Sequence, residues 1–311
     1  MEFFKAKPNI PFMKQRWLAA TISAIIFICS IVSLCWHGLN LGLDFTGGTQ
    51  AEVTFMQTVD VNQLREQLVK AGFHQAIVQV YAQTALSGKT KDAYSVRVGL
   101  HKSLTQEQLK DKLVQAMPGA QINSLEYIGP QVGKQLMTNG ILAVVLAFVG
   151  TMIYIALRFE YRFALSAALA LVHDPVLILG VFSFFHLEFN LIVLTALLTV
   201  IGYSLNDTIV VYDRVRENFR KIRKGTPLEI MDLSINQTLS RTIMTSGLTL
   251  VVVVALFLYG GQSVHEFALA MMIGIVVGTY SSIYVAGSLA IAFGLTRSNL
   301  IPAQKVVDEL P

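Results

Sequence analysis

Six long apolar segments constrain what this chain can fold into. Each approaches or exceeds the ~20 residues that an α-helix needs to cross the roughly 30 Å hydrocarbon core of a bilayer. Charged residues make up only 14% of the chain's 311 residues, against about 25% in typical soluble proteins. The sequence therefore predicts a polytopic α-helical membrane protein whose six transmembrane helices lie at residues 17–36, 137–157, 163–185, 191–212, 242–259 and 267–295.

The distribution of lysine and arginine predicts how these helices are oriented. All 15 basic residues outside residues 37–136 fall on one side of the predicted membrane, and the turns 186–190 and 260–266 on the other side contain none. Basic residues in short loops stay on the cytoplasmic side. We therefore expect both termini in the cytoplasm and residues 37–136 on the outer face, with cytoplasmic segments at residues 1–16, 213–241 and 296–311.

The long segment at residues 37–136 has the pattern of a small α+β domain. Runs rich in β-branched and aromatic residues predict four strands, and two stretches with helical spacing lie between them. Asp60 with Gln63 resembles a capping box at the start of the first helix, and Pro118 with Gly119 ends the second. The order β-α-β-β-α-β is that of the ferredoxin-like plait, a scaffold that does not define a function by itself.

Sequence motifs for enzyme chemistry are absent from the chain. No His-Glu-x-x-His metal motif occurs, and Gly202-Tyr203-Ser204-Leu205 lacks the second glycine of a nucleophile elbow. We therefore expect a protein that is not an enzyme, with no catalytic residue, no metal site and no nucleic acid partner.

Two ionisable residues lie near the middle of the third apolar segment. His173 and Asp174 precede Pro175, which removes a helical hydrogen bond and frees carbonyl groups at a kink. An ionisable residue near the bilayer centre costs about 2.5–3.5 kcal/mol on insertion scales, so it needs a partner or a task. Two interpretations stay open: a proton route, or an internal hydrogen bond that holds a kinked helix to its neighbour.

The fourth apolar segment carries a second polar group. Ser204 and Asp207 are three residues apart and share one helical face, whereas Asn206 shares another face with Gly202. Arg241 stands at the start of the fifth segment. It is either an anchor that reaches the lipid headgroups, the usual role of a basic residue at a span end, or the counter-charge of Asp207. Spacing alone favours the anchor.

Two further patterns concern helix packing. Gly274, Gly278 and Ser282 recur every four residues in the sixth segment, which predicts close packing against another helix. The stretch Thr226–Glu229 is a capping box with proline at the first helical turn. It predicts a short amphipathic helix in the loop 213–241, with Ile230 along the inner membrane surface.

Three longer stretches resemble the SecD/SecF family of protein-export membrane proteins. Residues 41–49, LGLDFTGGT, resemble the segment that opens the outer domain in that family. Its motif residues in this chain are Gly42, Asp44, Gly47 and Gly48. Residues 202–217, GYSLNDTIVVYDRVRE, resemble the fourth span of the SecF proteins, and residues 240–246, SRTIMTS, resemble the start of their fifth span. The resemblance covers nearly the whole chain.

This resemblance implies a subunit of the bacterial Sec export system in the inner membrane, where it contacts membrane lipid. Such a subunit pairs with SecD, and each supplies six spans of a resistance-nodulation-division type bundle. The pair works with the SecYEG channel and YajC on translocating preproteins. The energy source is the proton gradient, without a cofactor. The resemblance also implies that Asp207 and Arg241 take part in proton coupling, with Ser204 and Asn206 as neighbouring candidates.

Two other classes of function remain open at this point. One is half of a proton-driven small-molecule exporter of the same superfamily, which the short outer segment 37–136 disfavours because such exporters carry much larger outer domains. The other is a structural assembly subunit, in which Asp207 is only a packing group.

Overall fold

The computed structural model describes residues 9–55, 59–73, 76–84, 90–99 and 106–296. Residues 1–8 and 297–311 of the two predicted tails lie outside this range. The described residues fall into two compact units. The helical unit lies within Met1–Asn40, Val144–Leu187 and Thr195–Pro311, and the sheet unit lies within Leu41–Ala143 and Glu188–Leu194.

Helices dominate the chain, and four longer strands follow the first helix. In chain order the longer elements are α1 (Arg16–His37), β1 (Gly48–Phe55), α2 (Val61–Lys70), β2 (Ile77–Thr84), β3 (Thr90–Val98), α3 (Gln106–Ala116), β4 (Ala120–Ile128), α4 (Pro130–Arg158), α5 (Tyr161–Phe184), α6 (Leu191–Lys221), α7 (Pro227–Tyr259) and α8 (Gln262–Tyr280), followed by the short α9 (Ala286–Ala292). Shorter elements are a 3-10 helix (Phe12–Gln15), a helical turn (Leu43–Thr46) and two two-residue strands (Asn40–Leu41 and Glu188–Phe189). A π-helical segment, Ser281–Val285, joins α8 to α9. Among the described residues, six helices are long and apolar enough to cross a membrane, which confirms the predicted six-span class.

The surfaces of α1, α4 and α7 explain why these helices are unsuited to water. Large apolar side chains stand exposed along them, such as Ile28, Leu146 and Val251. A water-soluble protein rarely exposes apolar patches of this extent. In contrast, α5 and α6 are largely buried within the helical unit. Several polar residues of these two helices are therefore removed from the surface, among them His173, Asp174, Ser204 and Asp207.

The loop predicted at residues 213–241 contains no separate amphipathic helix, although all of its residues are described. α6 continues to Lys221, and α7 begins at Pro227 with the predicted capping box between Thr226 and Glu229. α7 then runs unbroken to Tyr259, so the prediction of a short surface helix is wrong. Hydropathy marks where an apolar segment begins, whereas a helix continues for as long as its backbone hydrogen bonds do. Ile230 accordingly lies in the helical core.

The sheet unit has the predicted plait. Its four strands pair antiparallel in the order β2-β3-β1-β4, and α2 and α3 connect them in the sequence β-α-β-β-α-β. Alternate side chains of a strand point to opposite faces, so that one face of each central strand is available for a core. Leu64, Leu68 and Leu113 of the helices are buried there with Val53 and Val96 of the strands.

Candidate functional site

Asp174 lies at the centre of a polar cluster inside the helical unit. It precedes Pro175 in α5, and only 1% of its surface is exposed. Its Oδ1 atom is 2.9 Å from His173 Nδ1. Its Oδ2 atom accepts hydrogen bonds from Ser204 Oγ of α6 and, at 2.7 Å, from Ser281 Oγ of the π-helical segment. Both oxygens are therefore hydrogen-bonded, as a buried carboxylate requires.

His173 extends this cluster to α1. Its Nε2 atom lies 2.6 Å from Ser23 Oγ, and Phe27 stacks on its ring at a centroid distance of 5.8 Å. A neutral imidazole has one N–H donor and one acceptor nitrogen. When Nδ1 donates to Asp174, Nε2 accepts from the Ser23 hydroxyl, and the opposite tautomer reverses both roles. The ring thus connects a buried carboxyl group to a hydroxyl group on another helix.

Asp207 is the second buried carboxylate of the helical unit. It lies in α6, three residues after Ser204, and 6% of its surface is exposed. Its Oδ1 atom accepts a hydrogen bond of 2.8 Å from Thr242 Oγ1 of α7, and its Oδ2 atom accepts one of 2.8 Å from Ser282 Oγ. Asp207 therefore links α6 to α7 and to the π-helical segment.

The π-helical segment brings the two carboxylates into one network. Ser281 and Ser282 are consecutive and fully buried, yet the first donates to Asp174 and the second to Asp207. A π-turn widens a helix locally and often marks a functional site. We use the name carboxylate network for the residues joined in this way: Ser23, His173, Asp174, Ser204, Asp207, Thr242, Ser281 and Ser282.

The ridge of small residues in α8 allows the π-helical segment to approach α6. A Cβ atom on Gly278 would lie 3.0 Å from Ser204 Cβ, and one on Gly274 would overlap the side chain of Val200. The predicted close packing of Gly274 and Gly278 is confirmed, and its partner is α6. Ser282, the third member of the ridge, uses this proximity to bind Asp207.

Arg241 and Asn206 lie outside the carboxylate network. The side chain of Arg241 is exposed, and Asn206 lies on an exposed part of α6. Both oxygens of Asp207 accept hydrogen bonds from hydroxyl groups, and a pair between Asp207 and Arg241 is not among the ion pairs of the described residues. That pair stays a prediction for another conformation or for a complex. Ser204, grouped with Asp207 by helical spacing, binds Asp174 instead.

The carboxylate network has the chemistry of a proton-binding site. Hydroxyl groups both donate and accept hydrogen bonds, so each serine or threonine can adjust to a carboxyl group that gains or loses a proton. Within the described residues, no group of three His, Cys, Asp or Glu side chains is placed to hold a metal ion. The network therefore offers ionisable groups and adaptable hydroxyls in a setting largely closed to solvent.

Sequence reasoning missed the hydroxyl groups of Ser23, Thr242 and Ser281, and it gave Ser282 only a packing role. Their partners lie between 35 and 150 residues away in the chain. No local spacing reports contacts of this separation. The usable signal in the sequence was the ridge of small residues in α8. It predicts a close helix contact but does not indicate that a carboxylate lies at that contact.

In the sheet unit, Gly42 and Asp44 of the family motif hold the start of α6. Gly42 N–H donates to Phe189 O at 2.8 Å, and Asp44 Oδ2 accepts from Leu191 N–H at 2.8 Å. The first N–H groups of a helix lack partners within the helix. Asp44 supplies one of those partners to α6. It lies in the segment 42–48, which contains the helical turn Leu43–Thr46 and which we call the motif loop.

Gly47 and Gly48 end the motif loop in backbone conformations that favour glycine. Their φ angles are 67° and 129°, a region that side chains with a Cβ atom rarely adopt. A Cβ atom on Gly48 would also lie 2.6 Å from Val98 O. These two glycines therefore allow the chain to turn sharply into β1 beside β3.

Within its described residues, the chain has six apolar helices, two buried carboxylates within them and a plait after the first helix. These features define a polytopic membrane protein with ionisable groups in its spans. The family profile described as protein export membrane protein SecD/SecF, C-terminal, matches residues 108–296, and the SecD/SecF GG motif matches residues 37–59. The chain belongs to the SecD/SecF family, on its SecF branch.

Relatives named protein translocase subunit SecF are similar over nearly their full length. The protein of Vibrio alginolyticus is 44% identical, with 97% of this chain and 96% of the relative covered. The protein of Pseudomonas aeruginosa is 43% identical, with 97% and 98% covered. The crystal structure of SecDF, a translocon-associated membrane protein from Thermus thermophilus, is 34% identical with a TM-score of 0.83 and covers 93% of this chain. This chain spans 39% of that SecDF chain.

Proposed function

We propose that this chain is the SecF subunit of a bacterial protein-export complex. It acts in the inner membrane as a heterodimer with SecD, together with the SecYEG channel and YajC. It uses the proton gradient to promote the late, ATP-independent movement of preproteins out of the cytoplasm. Both termini lie in the cytoplasm and residues 37–136 in the periplasm, which the one-sided distribution of basic residues supports.

Two observations support the partnership with SecD. The matched SecDF chain is much longer than this one, which accounts for only 39% of it. In addition, α7 exposes large apolar side chains such as Val251 and Val252, and Arg241 is exposed on the same helix. Lipid already suits the apolar side chains, but the charged Arg241 needs a partner within a span, and a second helical bundle packed against α7 would give it a protein environment. It would also enclose Arg241 in the region where the predicted pair with Asp207 forms.

The hydrogen bonding of Asp207 carries this proposal. An ionised Asp207 accepts hydrogen bonds from both Thr242 and Ser282, as observed. A protonated carboxyl group has one O–H donor, so that one of its two partners must turn from donor to acceptor or move away. Each partner belongs to a different element. Protonation therefore changes the contact between α6 and either α7 or the π-helical segment.

The energy that a proton releases by crossing the membrane is similar to the energy of one hydrogen bond of Asp207. An elementary charge that crosses the membrane potential releases about 2.3 kcal/mol per 100 mV. A hydrogen bond to a charged group contributes about 1.5–3 kcal/mol. One proton per cycle is therefore enough to shift a bundle between two states whose free energies differ by a few kcal/mol. In the first state Asp207 is bonded to the two hydroxyl groups. In the second state Arg241 turns inward and its charge compensates the ionised Asp207, and protonation of Asp207 removes the attraction between them.

We extend the proposed proton route to His173 and Asp174. They join Asp207 through the adjacent residues Ser281 and Ser282, which supports a second proton-binding position over a purely structural staple. Asp174→Asn separates the two roles, because asparagine keeps the volume and resembles the protonated carboxyl group, with one acceptor oxygen and a donor NH2, but does not gain or lose a proton. Loss of gradient-driven export would indicate a proton route, and normal export would indicate a staple.

Export of a preprotein into inverted membrane vesicles that contain SecD, SecYEG and this chain tests the proposed function. Asp207→Asn should assemble with SecD and lower gradient-dependent export by about tenfold or more, the loss of one hydrogen bond to a charged group. Asp213→Asn is the matched control, because Asp213 lies on the same helix in a half-exposed ion pair with Arg158. Normal export by Asp207→Asn at full gradient would make this chain a structural subunit and the proposal wrong.

A further inference from the structure

The sheet unit contains a buried ion pair between distant parts of the chain. This pair is separate from the carboxylate network, which lies in the helical unit. Arg97 lies in the central strand β3, where it is paired with Gln50 of β1 and Ile77 of β2. Glu188 begins the two-residue strand Glu188–Phe189 between α5 and α6. The two side chains are 8% and 6% exposed, and the guanidinium group contacts the carboxylate directly. The pair therefore connects the sheet to the short strand that leads into α6.

The same two side chains hold the start of the motif loop. Arg97 Nη1 donates to Leu41 O at 2.7 Å, and the Glu188 carboxylate accepts a hydrogen bond from the backbone of Leu43. A Cβ atom on Gly42, between them, would lie 2.8 Å from Glu188 Oε1. Because glycine has no Cβ atom, the Glu188 carboxylate can approach the motif loop at this position.

The motif loop in turn holds the first turn of α6 and the start of α4. Asp44 accepts from Leu191 N–H, and Phe45 stacks on Phe189 at a centroid distance of 5.9 Å. A Cβ atom on Gly133 of α4 would lie 3.1 Å from the backbone of the loop. Sheet, motif loop and first turn of α6 thus form one connected set of contacts within the sheet unit.

A contribution to stability is a weak explanation for this ion pair. Burial raises the pKa of Glu188, and the Arg97 guanidinium opposes that rise. Removing two charges from water often outweighs their mutual attraction, and apolar residues of similar volume often stabilise a fold as well or better. The pair does supply a fixed geometry, because the planar guanidinium group binds the Glu188 carboxylate through Nη2 and the Leu41 carbonyl through Nη1.

We propose that Arg97 and Glu188 are positioning residues that make the first turn of α6 move as one piece with the plait. α6 continues without a break from Leu191 to Lys221 and carries Asp207. A shift of α6 caused by protonation at Asp207 then reaches the sheet through the ion pair and the motif loop. We call the connection of the plait to the first turn of α6 through Arg97, Glu188 and the motif loop the joint. Its role in export rests on the proposed function, whereas the existence of the joint does not.

Spin-label distances in the full chain, reconstituted in lipid nanodiscs at neutral pH, test the joint directly. One label replaces Val114, exposed on α3, and the other replaces Ile192, exposed in the first turn of α6. Cys29 and Cys35 are changed to serine beforehand. The parent chain should give a single narrow distance distribution, because the joint fixes the helix start to the plait.

Arg97→Gln and Glu188→Gln should each broaden that distribution at least twofold, and Arg97→Lys should give an intermediate width because it keeps the charge but loses the fork. Glu126→Gln, at an exposed position of β4, is the matched control and should leave the distribution narrow. Circular dichroism of each variant establishes that the plait is folded. A folded Arg97→Gln or Arg97→Lys chain with the parent's narrow distribution would overturn the joint.

Gradient-dependent export of the same variants separates the joint from the proposed function. Arg97→Gln should lower export by about tenfold while assembly with SecD is kept, as expected for loss of a charge-assisted contact. Broad distance distributions in the Arg97 variants, together with normal export by Asp207→Asn, would support the joint and refute the proposed function. Narrow distances in folded Arg97 variants together with export that depends on Asp207 would refute the joint alone.

Discussion

Ser281 and Ser282 are neighbours in the chain, yet their hydroxyl groups donate to carboxylates on different helices. Ser281 Oγ is 2.7 Å from Asp174 in α5, and Ser282 Oγ is 2.8 Å from Asp207 in α6. Consecutive side chains of a helical segment point to neighbouring faces, so Ser281 can face α5 while Ser282 faces α6. A change of protonation at Asp207 therefore acts on Ser282, which is bonded in the chain to the donor of Asp174. In the same way, a change at Asp174 acts on Ser281, the neighbour of the donor of Asp207.

Removing these hydroxyl groups one at a time should have unequal effects. Ser282→Ala takes away one of the two hydroxyl donors of Asp207, whereas Ser281→Ala leaves Asp174 with His173 and Ser204. We expect Ser282→Ala to lower gradient-driven export about tenfold and Ser281→Ala by less, since a hydrogen bond to a charged group contributes about 1.5–3 kcal/mol. The measurement is the export rate in vesicles as a function of the imposed gradient.

Ser288→Ala is the control for both serine variants. Ser288 lies in α9, and its Oγ atom is buried without a hydrogen-bond partner in the described part of the chain. Its loss should leave export unchanged. Equal export by Ser282→Ala and Ser288→Ala would mean that the hydrogen bond to Asp207 plays no part.

The ionisable members of the network were predictable, and the hydroxyl members were not. His173, Asp174 and Asp207 stand out because a titratable group in an apolar segment needs a partner or a task. Serine and threonine attract no such attention, since they are ordinary in membrane helices and hydrogen-bond their own backbone, as Thr245 does to Arg241 O. Which of them meets a carboxylate depends on how distant helices pack.

The fold was predictable for a different reason. Apolar length specifies the spans, and alternation of apolar residues specifies the strands, so both are local properties of the sequence. The motif loop shows the limit of this reasoning. Gly42 and Gly48 are recognisable as a family pattern, but only the approach of Glu188 and of Val98 O explains why a Cβ atom is not tolerated there.

Arg241 provides a test of the proposed second state. Arg241→Met keeps an unbranched side chain, although a shorter one, and removes the charge that would compensate an inward, ionised Asp207. We expect assembly with SecD to be retained and gradient-driven export to fall about tenfold, whereas Arg241→Lys should restore part of the activity because it keeps the charge without the planar fork. If Arg241→Met exports at the normal rate, Arg241 is a headgroup anchor.

Gly48→Ala should destabilise the sheet unit for two reasons that a second variant separates. Gly48 has φ 129°, and its Cβ atom would meet Val98 O, whereas Gly72 has φ 96° and open space around it. Backbone strain of this kind costs about 1–3 kcal/mol. Hydrogen exchange of the β1 and β3 amides should show a larger loss of protection for Gly48→Ala than for Gly72→Ala, and equal losses would exclude the contact with Val98.

Orientation in the membrane can be measured by cysteine labelling. In a chain without Cys29 and Cys35, a cysteine at the exposed position Val114 should react with an impermeant reagent added outside intact cells. A cysteine at Lys224, also exposed, should react only after the membrane is opened. Labelling in the reverse order would contradict the orientation predicted from the basic residues.

Glu188 should make the stability of the sheet unit depend on pH. Burial raises its pKa above the ordinary value of 4.5, Arg97 opposes the rise, and Asp44 adds to it. A carboxyl group with a raised pKa binds more protons in the folded state, so the free energy of unfolding falls as the pH rises from 4.5 through the raised pKa. Hydrogen exchange of the Val96 and Val98 amides, corrected for intrinsic rates, should report this decrease.

Glu188→Gln removes the titrating group and should abolish that slope. Glu126→Gln, at an exposed position of the same unit, should keep the wild-type slope, because a carboxyl group in water has a similar pKa in the folded and unfolded chain. A wild-type protection that increases with pH across the window would mean that the attraction of Arg97 outweighs desolvation. The ion pair would then stabilise the fold in its own right, and its presence in the joint would follow from stability as well as from geometry.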